Sequence, residues 1–550
     1  MAVFDGENGA GFAGPGTLRE LVGDIRWEPY GGVRKYRLAT TTGTDPTVEY
    51  LREGISEDPV SSCQSAVPSS TDVSGRLRAV WVSRSGNGDI YRRAYRWRAD
   101  QVAEEHTCFK SGPAEIVSYQ YDNQLRLTSA TRPTVIGSRM IDVGGSVGRR
   151  TYSFGTSNDR GNRAHDEHDC WGFDLHYDGP DRLDRLQQRV PVTGGCLSQA
   201  CSGPLPIAGQ GYNHDAEGKV TKRWTPASYA DSYEELDAGQ KLVFDWTPTT
   251  VGSDAGYSNA AIEGVYRTVT VHQGKAATRL YEHFYDAFGR RRFKRGPIED
   301  REFFYDGVRL LEDKGGNVGS QTPIWGIDEY VWLDGKPVAM LRGGINEDGF
   351  HDYEVSDGTC QDAYQCGVYF IVTDHIGKPV VMLDANDGKV TGTGDYDPFG
   401  HVNRATLLAD TAHPHGSNTN QLLASIKQPV RSGITQQVRA RYAMVDTASG
   451  ASATLTNKED TANLSCPSGG YSSAGGTNQG SVATCWVNVP ADGIIHVRFK
   501  SGTAANTARQ GVAMEGYEFR RAETGAPFVW TSLRLPGQYH DPETDLFENW

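Results

Sequence analysis

The chain has 550 residues and a formal charge of −14, with 37% hydrophobic and 23% charged residues. That balance excludes a nucleic-acid partner, because binding a phosphate backbone needs a basic face that releases counterions, and no apolar run reaches the length of about 18 residues that a membrane-spanning helix needs. With 65 glycines and 26 tyrosines, the composition favours short strands and many turns, so an all-β fold is expected.

Residues 1–17 read as a flexible leader, with neither the basic start nor the apolar stretch of a secretory signal. Gly9, Gly11 and Gly14 satisfy G-x-G-x-x-G, but no strand precedes them, and the motif has force only between a strand and a helix. Residues 18–115 form a divergent strand-rich region. From about residue 116 one phrase recurs in chain order. YQYDNQLRLTSATRP at 119–133 contains Tyr121 and Asp122, and worn copies follow at 151–163, 175–186 and 212–224. YEHFYDAFGRRRFKR at 281–295 carries Tyr285, Asp286, Gly289 and Arg290, and EFFYDGVRLLED at 302–313 carries Tyr305, Asp306 and Gly307. Asp286 and Asp306 stand 20 positions apart. In each copy, aromatic and polar residues alternate as in a half-buried strand, an Asp opens a turn, and alternation then resumes. Asp suits the turn because its carboxylate accepts from amides two residues on, and Gly suits it because it tolerates positive φ. Each copy is therefore predicted to be a hairpin. Because single hairpins are marginal, consecutive ones must pair edge to edge into a sheet that twists and curls. The recurring Tyr is expected to line a wall that faces water-accessible space.

Within this region HDEHDC at 165–170 sets His165, His168 and Cys170 in one short loop. Structural zinc wants four ligands and no partner pair lies nearby, so a solvated turn is expected. The nine cysteines sit at 63, 108, 170, 196, 201, 360, 366, 466 and 485, several in close pairs within Gly/Ser-rich loops, which suits an oxidising compartment. Spacing pairs Cys466 with Cys485, Cys196 with Cys201, and Cys360 with Cys366, with buried reduced thiols as the alternative; the odd total leaves at least one outside intrachain pairing.

The phrase becomes more specific downstream, in DEYVWLDGKPVAML at 328–341, YFIVTDHIGKPVVMLDANDGKVTGTGDYDPFG at 369–400 and LRLPGQYHDPETDLFENW at 533–550. Together with the Tyr-Asp copies, these segments resemble the RHS core of the RHS/YD-repeat family over roughly 116–405 and 530–550. The resemblance implies a hollow β-shell of spiralling hairpins that encloses a C-terminal toxin or other cargo. It also places Asp374, His375, Gly377, Asp397, Pro398 and Gly400 in the core signature. An Asp beside a His can orient an imidazole for hydrolysis, but no nucleophile can be named, and TDHIGKP reads as a shell turn whose His hydrogen-bonds locally. Toxin-bearing relatives cleave themselves with two aspartates in the core's last segment. Here Asp545 replaces the usual Gly after Glu-Thr and the chain ends at Trp550, so the cleavage site and cargo are expected to lie outside it. The steps Asp397-Pro398 and Asp541-Pro542 read as turns.

Between 412 and 521 the character changes: Ser, Thr, Ala, Gly and Asn dominate, and strand-like runs such as QQVRARYAMV and IIHVRFKS follow one another. A small β-sandwich inserted into the shell is expected, and the segment resembles a CUB domain, a secreted binding module. Many CUB domains hold calcium; here Asp446 is followed by no second or third carboxylate, which is too few for a hard cation. The expectation is thus a non-enzymatic, secreted or cell-surface bacterial protein without cofactors, with a shell over 18–411, a CUB-like insertion over 412–521 and a resumed, truncated core over 522–550. Its partner would be an enclosed or downstream cargo absent from this chain. The rival reading is an adhesin or filament subunit whose CUB-like part binds a carbohydrate, a protein or another copy of the chain.

Overall fold

The computed structural model describes residues 2–4, 18–29, 31–53, 75–84, 88–110, 114–131, 140–142, 149–154, 162–168, 171–177, 186–193, 210–216, 219–224, 241–248, 267–273, 278–296, 299–317, 325–345, 351–352, 365–396, 402–411, 420–428, 430–445, 452–459, 461–464, 481–500, 511–541 and 546–549. Every regular element among the described residues is a β-strand, as the turn-rich, β-branched and aromatic composition predicts. None of their helices, since there are none, could cross a membrane.

From Val22–Trp27 to Val390–Thr393 the strands pair antiparallel as one ribbon, in chain order save that Met140–Asp142 belongs to another sheet and that Lys336–Ile345 pairs both with the short His351–Asp352 and with Gly367–Thr373. The copies recognised in the sequence are rungs of it: Glu115–Tyr121 pairs with Leu127–Thr131, Gln210–His214 with Val220–Trp224, Thr278–Tyr285 with Arg291–Arg295, and Glu299–Asp306 with Arg309–Asn317. Residues 163–168 of the HDEHDC region also lie in a strand, Arg163–His168, rather than in the loop expected there. The leader's first residues, Ala2–Phe4, pair with Leu18–Glu20, while Gly9, Gly11 and Gly14 lie outside the described residues.

The two ends of the ribbon meet. Leu38, Val48, Tyr50, Val80, Val82 and Tyr91 from its beginning share one buried cluster with Val368, Phe370, Val372, Val381 and Leu383 from its end. Polar ties accompany the packing: the Tyr50 hydroxyl donates to the Thr373 carbonyl at 3.1 Å, the Val33 amide to Asp334 Oδ2 at 3.1 Å, and the Thr41 amide to the Ala385 carbonyl at 3.1 Å. Strand Gly367–Thr373 shows how period-two alternation divides the work. Val368, Phe370 and Val372 face the ribbon's first strands, whereas Tyr369 and Ile371 join a second cluster with Phe303, Val529, Leu533 and Tyr539. Strand Gly367–Thr373 is therefore covered on both faces, and its hydrophobic run is continuous rather than alternating for that reason. Each fully buried side chain of this size contributes on the order of 1.5–3 kcal/mol.

After the ribbon, two further antiparallel sheets follow. One holds Asn420–Lys427, Ile494–Lys500 and Ser452–Asn457, and gains Met140–Asp142 from the ribbon region. The other is built on Gly511–Glu523 and Ile434–Val445, with Arg404–Thr411, Ser481–Ala483 and Val487–Asn488 beside them. The block attaches to the ribbon through Lys110 Nζ to Glu523 Oε1 at 2.6 Å and Arg431 Nη2 to Glu115 Oε1 at 2.9 Å. Gly392 lies where a Cβ would come 2.6 Å from the Val529 carbonyl oxygen, so the close approach of 529–530 requires a glycine there.

Candidate functional site

The residues singled out in the sequence converge on the hairpin ends, where one small device recurs. The Asp286 carboxylate accepts through Oδ1 from the amides of Phe288 and Arg290, both at 2.9 Å, and through Oδ2 from the Arg290 guanidinium at 2.8 Å. The Asp286 amide donates to the Arg290 carbonyl at 2.9 Å, and the Gly289 amide donates to the Asp286 carbonyl at 3.1 Å with Gly289 at φ 78°. Asp374 repeats the pattern with Ile376, Gly377 and Lys378, at 3.1 and 3.0 Å from the two amides and 3.3 Å from the Lys378 ammonium. Asp122 repeats it with Gln124, Leu125 and Arg126, where Leu125 takes the left-handed conformation at φ 64° in place of glycine. Asp215 accepts from the Lys219 amide at 2.9 Å. The underlying rule is Asp-x-x-Gly-Arg/Lys: the carboxylate organises the turn amides, the left-handed residue closes it, and a cation four positions on neutralises the second oxygen. Burial alone would raise the Asp286 carboxyl; the Arg290 amide and guanidinium and the Phe288 amide more than offset that and hold it below the usual range.

Asp306 and Gly307 build a different turn. Asp306 pairs with Arg309, so Gly307 and Val308 alone form the loop, with Gly307 at φ 59°. The turns are also linked to one another, since Arg290 Nη1 donates to the Gly307 carbonyl at 2.8 Å.

Just inside these hairpin ends the register slips by one residue. Phe284 pairs with Phe293 but Tyr285 with Arg291, leaving Arg292 extra; Phe304 pairs with Glu312 but Tyr305 with Leu310, leaving Leu311 extra. The same slip leaves Thr221 extra in the hairpin after Asp215, and Val380 extra in the one after Asp374. A bulge of this kind bends its strand and increases the local right-handed twist.

The tyrosines do not face water as expected. Tyr285 is buried, Tyr330 and Tyr369 pack in the second apolar cluster, and the half-buried Tyr121 donates its hydroxyl to the Val102 carbonyl at 2.9 Å. His375 likewise makes none of the local hydrogen bonds expected of it; those come from Asp374. Its ring stands edge-on to Tyr95 and Trp97, with centroids 5.3 and 5.9 Å away, and loss of solvent on that side draws the imidazole below its ordinary range. With Oδ1 of Asp374 held by two amides and Oδ2 by Lys378, the arrangement positions a turn rather than an imidazole.

Two buried ionic groups, which sequence reading missed, stand on the ribbon. Arg291 is fully buried beneath Phe303 and Tyr539 and donates to Asp541 Oδ2 at 2.5 Å, with Lys294 Nζ 3.8 Å from Oδ1. Burial would raise Asp541, but Arg291, Lys294 and His283 draw it down to about 2. Burial first, and Arg291 second, lower His283 to about 3, so its ring stays neutral. Asp541 was read as a turn residue; it is instead the counter-charge that fastens the C-terminal segment to the ribbon. In the second group, Asp313 and Asp328 stand directly opposite on adjacent strands. Arg301 and the Tyr330 hydroxyl bond Asp313, while Arg342 holds Asp328 through two contacts at 2.7 and 2.8 Å. Burial pushes Asp313 up to about 6, with the facing Asp328 adding to the rise.

Cys108, Cys366 and Cys485 are disulfide-bonded. Cys196, Cys201, Cys360 and Cys466, as well as Asp397, Pro398, Gly400 and Asp446, lie outside the described residues. Among the described residues no group of three His, Cys, Asp or Glu side chains could hold a metal ion.

No protein-family model matches the chain, and no curated protein matches it. Among solved structures it is similar to the TcdB2-TccC3-TEV assembly at 14% identity and a TM-score of 0.38, over 70% of this chain and 16% of the other. A Photorhabdus luminescens Tc holotoxin pore with a mutated TccC3 gives 14% and 0.40, and TcdB2-TccC3 without its hypervariable C-terminal region gives 13% and 0.38, both with the same coverage. The matched part is thus about one sixth of those chains.

Proposed function

We propose that this chain is a non-enzymatic shell protein whose ribbon of YD-type hairpins encloses or displays a cargo outside the cytoplasm, as part of a bacterial toxin or surface assembly. The observation that carries the reading is that the first and last strands of an unbroken antiparallel ribbon are packed together. Roughly two dozen strands at about 4.8 Å each make a path on the order of 115 Å, too long to stay flat. A path of that length whose ends meet goes around something, and the repeated bulges supply the bend. The resemblance of the Tyr-Asp copies to the RHS/YD-repeat family points the same way.

In this reading the shell comprises the ribbon up to about residue 396. The block from about 402 to 524, whose two sheets would form the inserted sandwich, begins earlier than the sequence boundary at 412, because Arg404–Thr411 pairs with Gly511–Glu523. Segment 529–541 then packs on the ribbon face that its own first strands leave uncovered. Cysteine pairing of 360 with 366 and of 466 with 485 would staple loops of this shell and of the block.

The test is protease protection. A disordered, protease-sensitive reporter peptide is fused after Trp550 and exposed to a broad-specificity protease. Enclosure predicts that the reporter survives until the shell itself is unfolded by denaturant. Cleavage at the rate of the free peptide in the native protein overturns enclosure and favours the rival adhesin or filament reading.

A further inference from the structure

Among the described residues, the large apolar side chains left exposed are not scattered. Neighbouring ribbon strands run antiparallel, so successive connections alternate between the ribbon's two rims. Strand order then puts the turns after Val22–Trp27, Glu115–Tyr121, Thr278–Tyr285, Glu299–Asp306 and Gly367–Thr373 on the same rim. Exposed Trp27, Leu125, Phe288, Val308 and Ile376 stand at those turns, and the described turns of the opposite rim hold no exposed large apolar residue.

Phe288 is 82% and Val308 67% exposed. Their turns are neighbours, joined by the Arg290 bond to the Gly307 carbonyl, and exposed Phe304 and Leu311 extend the patch along the second hairpin. No atom lies within 4 Å of where a Cβ would stand at Gly289 or Gly307, so the patch is convex and nothing crowds its tips. Over 286–292 and 304–312 the charges balance: apart from Arg291, which Asp541 holds, Arg290, Arg292 and Arg309 offset Asp286, Asp306 and Glu312. An exposed apolar patch of this kind marks a contact surface, and its shape and neutrality select the partner. A second copy of the chain would meet it tip against tip, leaving gaps that forfeit dispersion contacts. A bilayer surface closes around a convex tip and asks for no matching pocket.

We propose that this rim docks on a lipid surface, with Phe288 and Val308 entering the boundary between headgroups and acyl chains and Ile376 and Leu125 meeting the same surface further round the rim. Because the patch is neutral, apolar insertion rather than headgroup charge would supply the binding.

The probe is phosphatidylcholine vesicles, co-sedimented with the full chain at low and high salt, alongside gel filtration without lipid. The chain is expected to partition onto the vesicles and to stay bound when salt is raised. Phe288→Ser, at a side chain outside both buried clusters, should leave the urea midpoint unchanged while weakening partition about tenfold. Phe288→Leu, which stays apolar, should keep most of it. Val430→Ser, at an exposed apolar residue of the block rather than the rim, should bind as the native chain does. The proposal is overturned if phosphatidylcholine vesicles bind nothing, or if binding appears only with added phosphatidylserine and vanishes in salt. It is equally overturned if Phe288→Ser binds like the native chain, or if Val430→Ser weakens binding as much. A dimer in gel filtration that Phe288→Ser turns into a monomer would also overturn it, since a second copy would then cover the patch.

Discussion

A single aspartate sets each of these hairpin ends, and its two oxygens do separable jobs. Asp286→Ala removes the acceptor for two amides and the partner of Arg290, and should cost about 1–2 kcal/mol, the scale of a lost helix cap. Asp286→Asn keeps the amide acceptor and should cost less than half of that; urea unfolding midpoints of the two variants check the order. Glycines separate in the same way. Gly289 has open space around its missing Cβ but a positive φ of 78°, so Gly289→Ala should cost about 1 kcal/mol of backbone strain and no steric clash. Gly392→Ala drives a Cβ towards the Val529 carbonyl and should be the more damaging change despite its ordinary backbone. Asp541 and Asp313 make opposite pH predictions. Asp541 is depressed to about 2, so its contribution is complete above about pH 4 and is lost as pH falls towards 2. Asp313 is raised to about 6, so its contribution is complete below about pH 4 and is lost as pH rises through 6. Asp313→Asn should therefore flatten the stability profile between pH 4 and 6 while leaving the acid limb intact. Asp541→Asn should remove much of the acid limb and cost about 3–5 kcal/mol, because Arg291 and Lys294 stay buried without their counter-charge. At this scale the sequence was half legible. The Tyr-Asp phrase located the turns, and the cation four residues after Asp286, Asp374 and Asp215 was present to be seen as a second recurrence. The partnership of Arg291 with Asp541 was not, since the two are 250 positions apart and nothing local marks them.

The hairpin, as an element, carries more than its turn. Alternation and turn chemistry located the strands after Tyr121, Tyr285 and Tyr305, because period two is a local property. The extra residue on the returning strand was hidden: Arg292, Leu311, Val380 and Thr221 share no residue type, and a bulge is a relation between two strands rather than a composition. Deleting Leu311 gives this device a direct test. Without Leu311 the pairs Tyr305–Leu310, Phe304–Glu312 and Phe303–Asp313 follow one another in regular register, so the strand keeps its faces and loses only the bend and extra twist of the bulge. The expected outcome is a folded but destabilised protein with a lower urea midpoint, whereas Leu311→Ser, which keeps the extra residue at an exposed position, should be close to native. A deletion variant as soluble and as stable as the substitution would remove the bulge from the account. The expectation that tyrosines line a wet wall failed for a related reason. A ring followed by Asp can sit on either face of a strand, and which face is covered depends on distant segments such as 529–541.

At the scale of the whole molecule, a long ribbon returns to its beginning, its first and last strands sharing one buried cluster. Composition foretold the all-β class, but the meeting of residues 21–109 with 338–390 could not be read from either segment alone, since both look like ordinary hydrophobic strands. The most direct measurement is a cryo-electron microscopy reconstruction of the purified chain. The account predicts a wall one sheet thick curving around a continuous low-density lumen, closed where the first strands lie against Gly367–Thr373. Density filled throughout, or a flat ribbon with its ends apart, would contradict it.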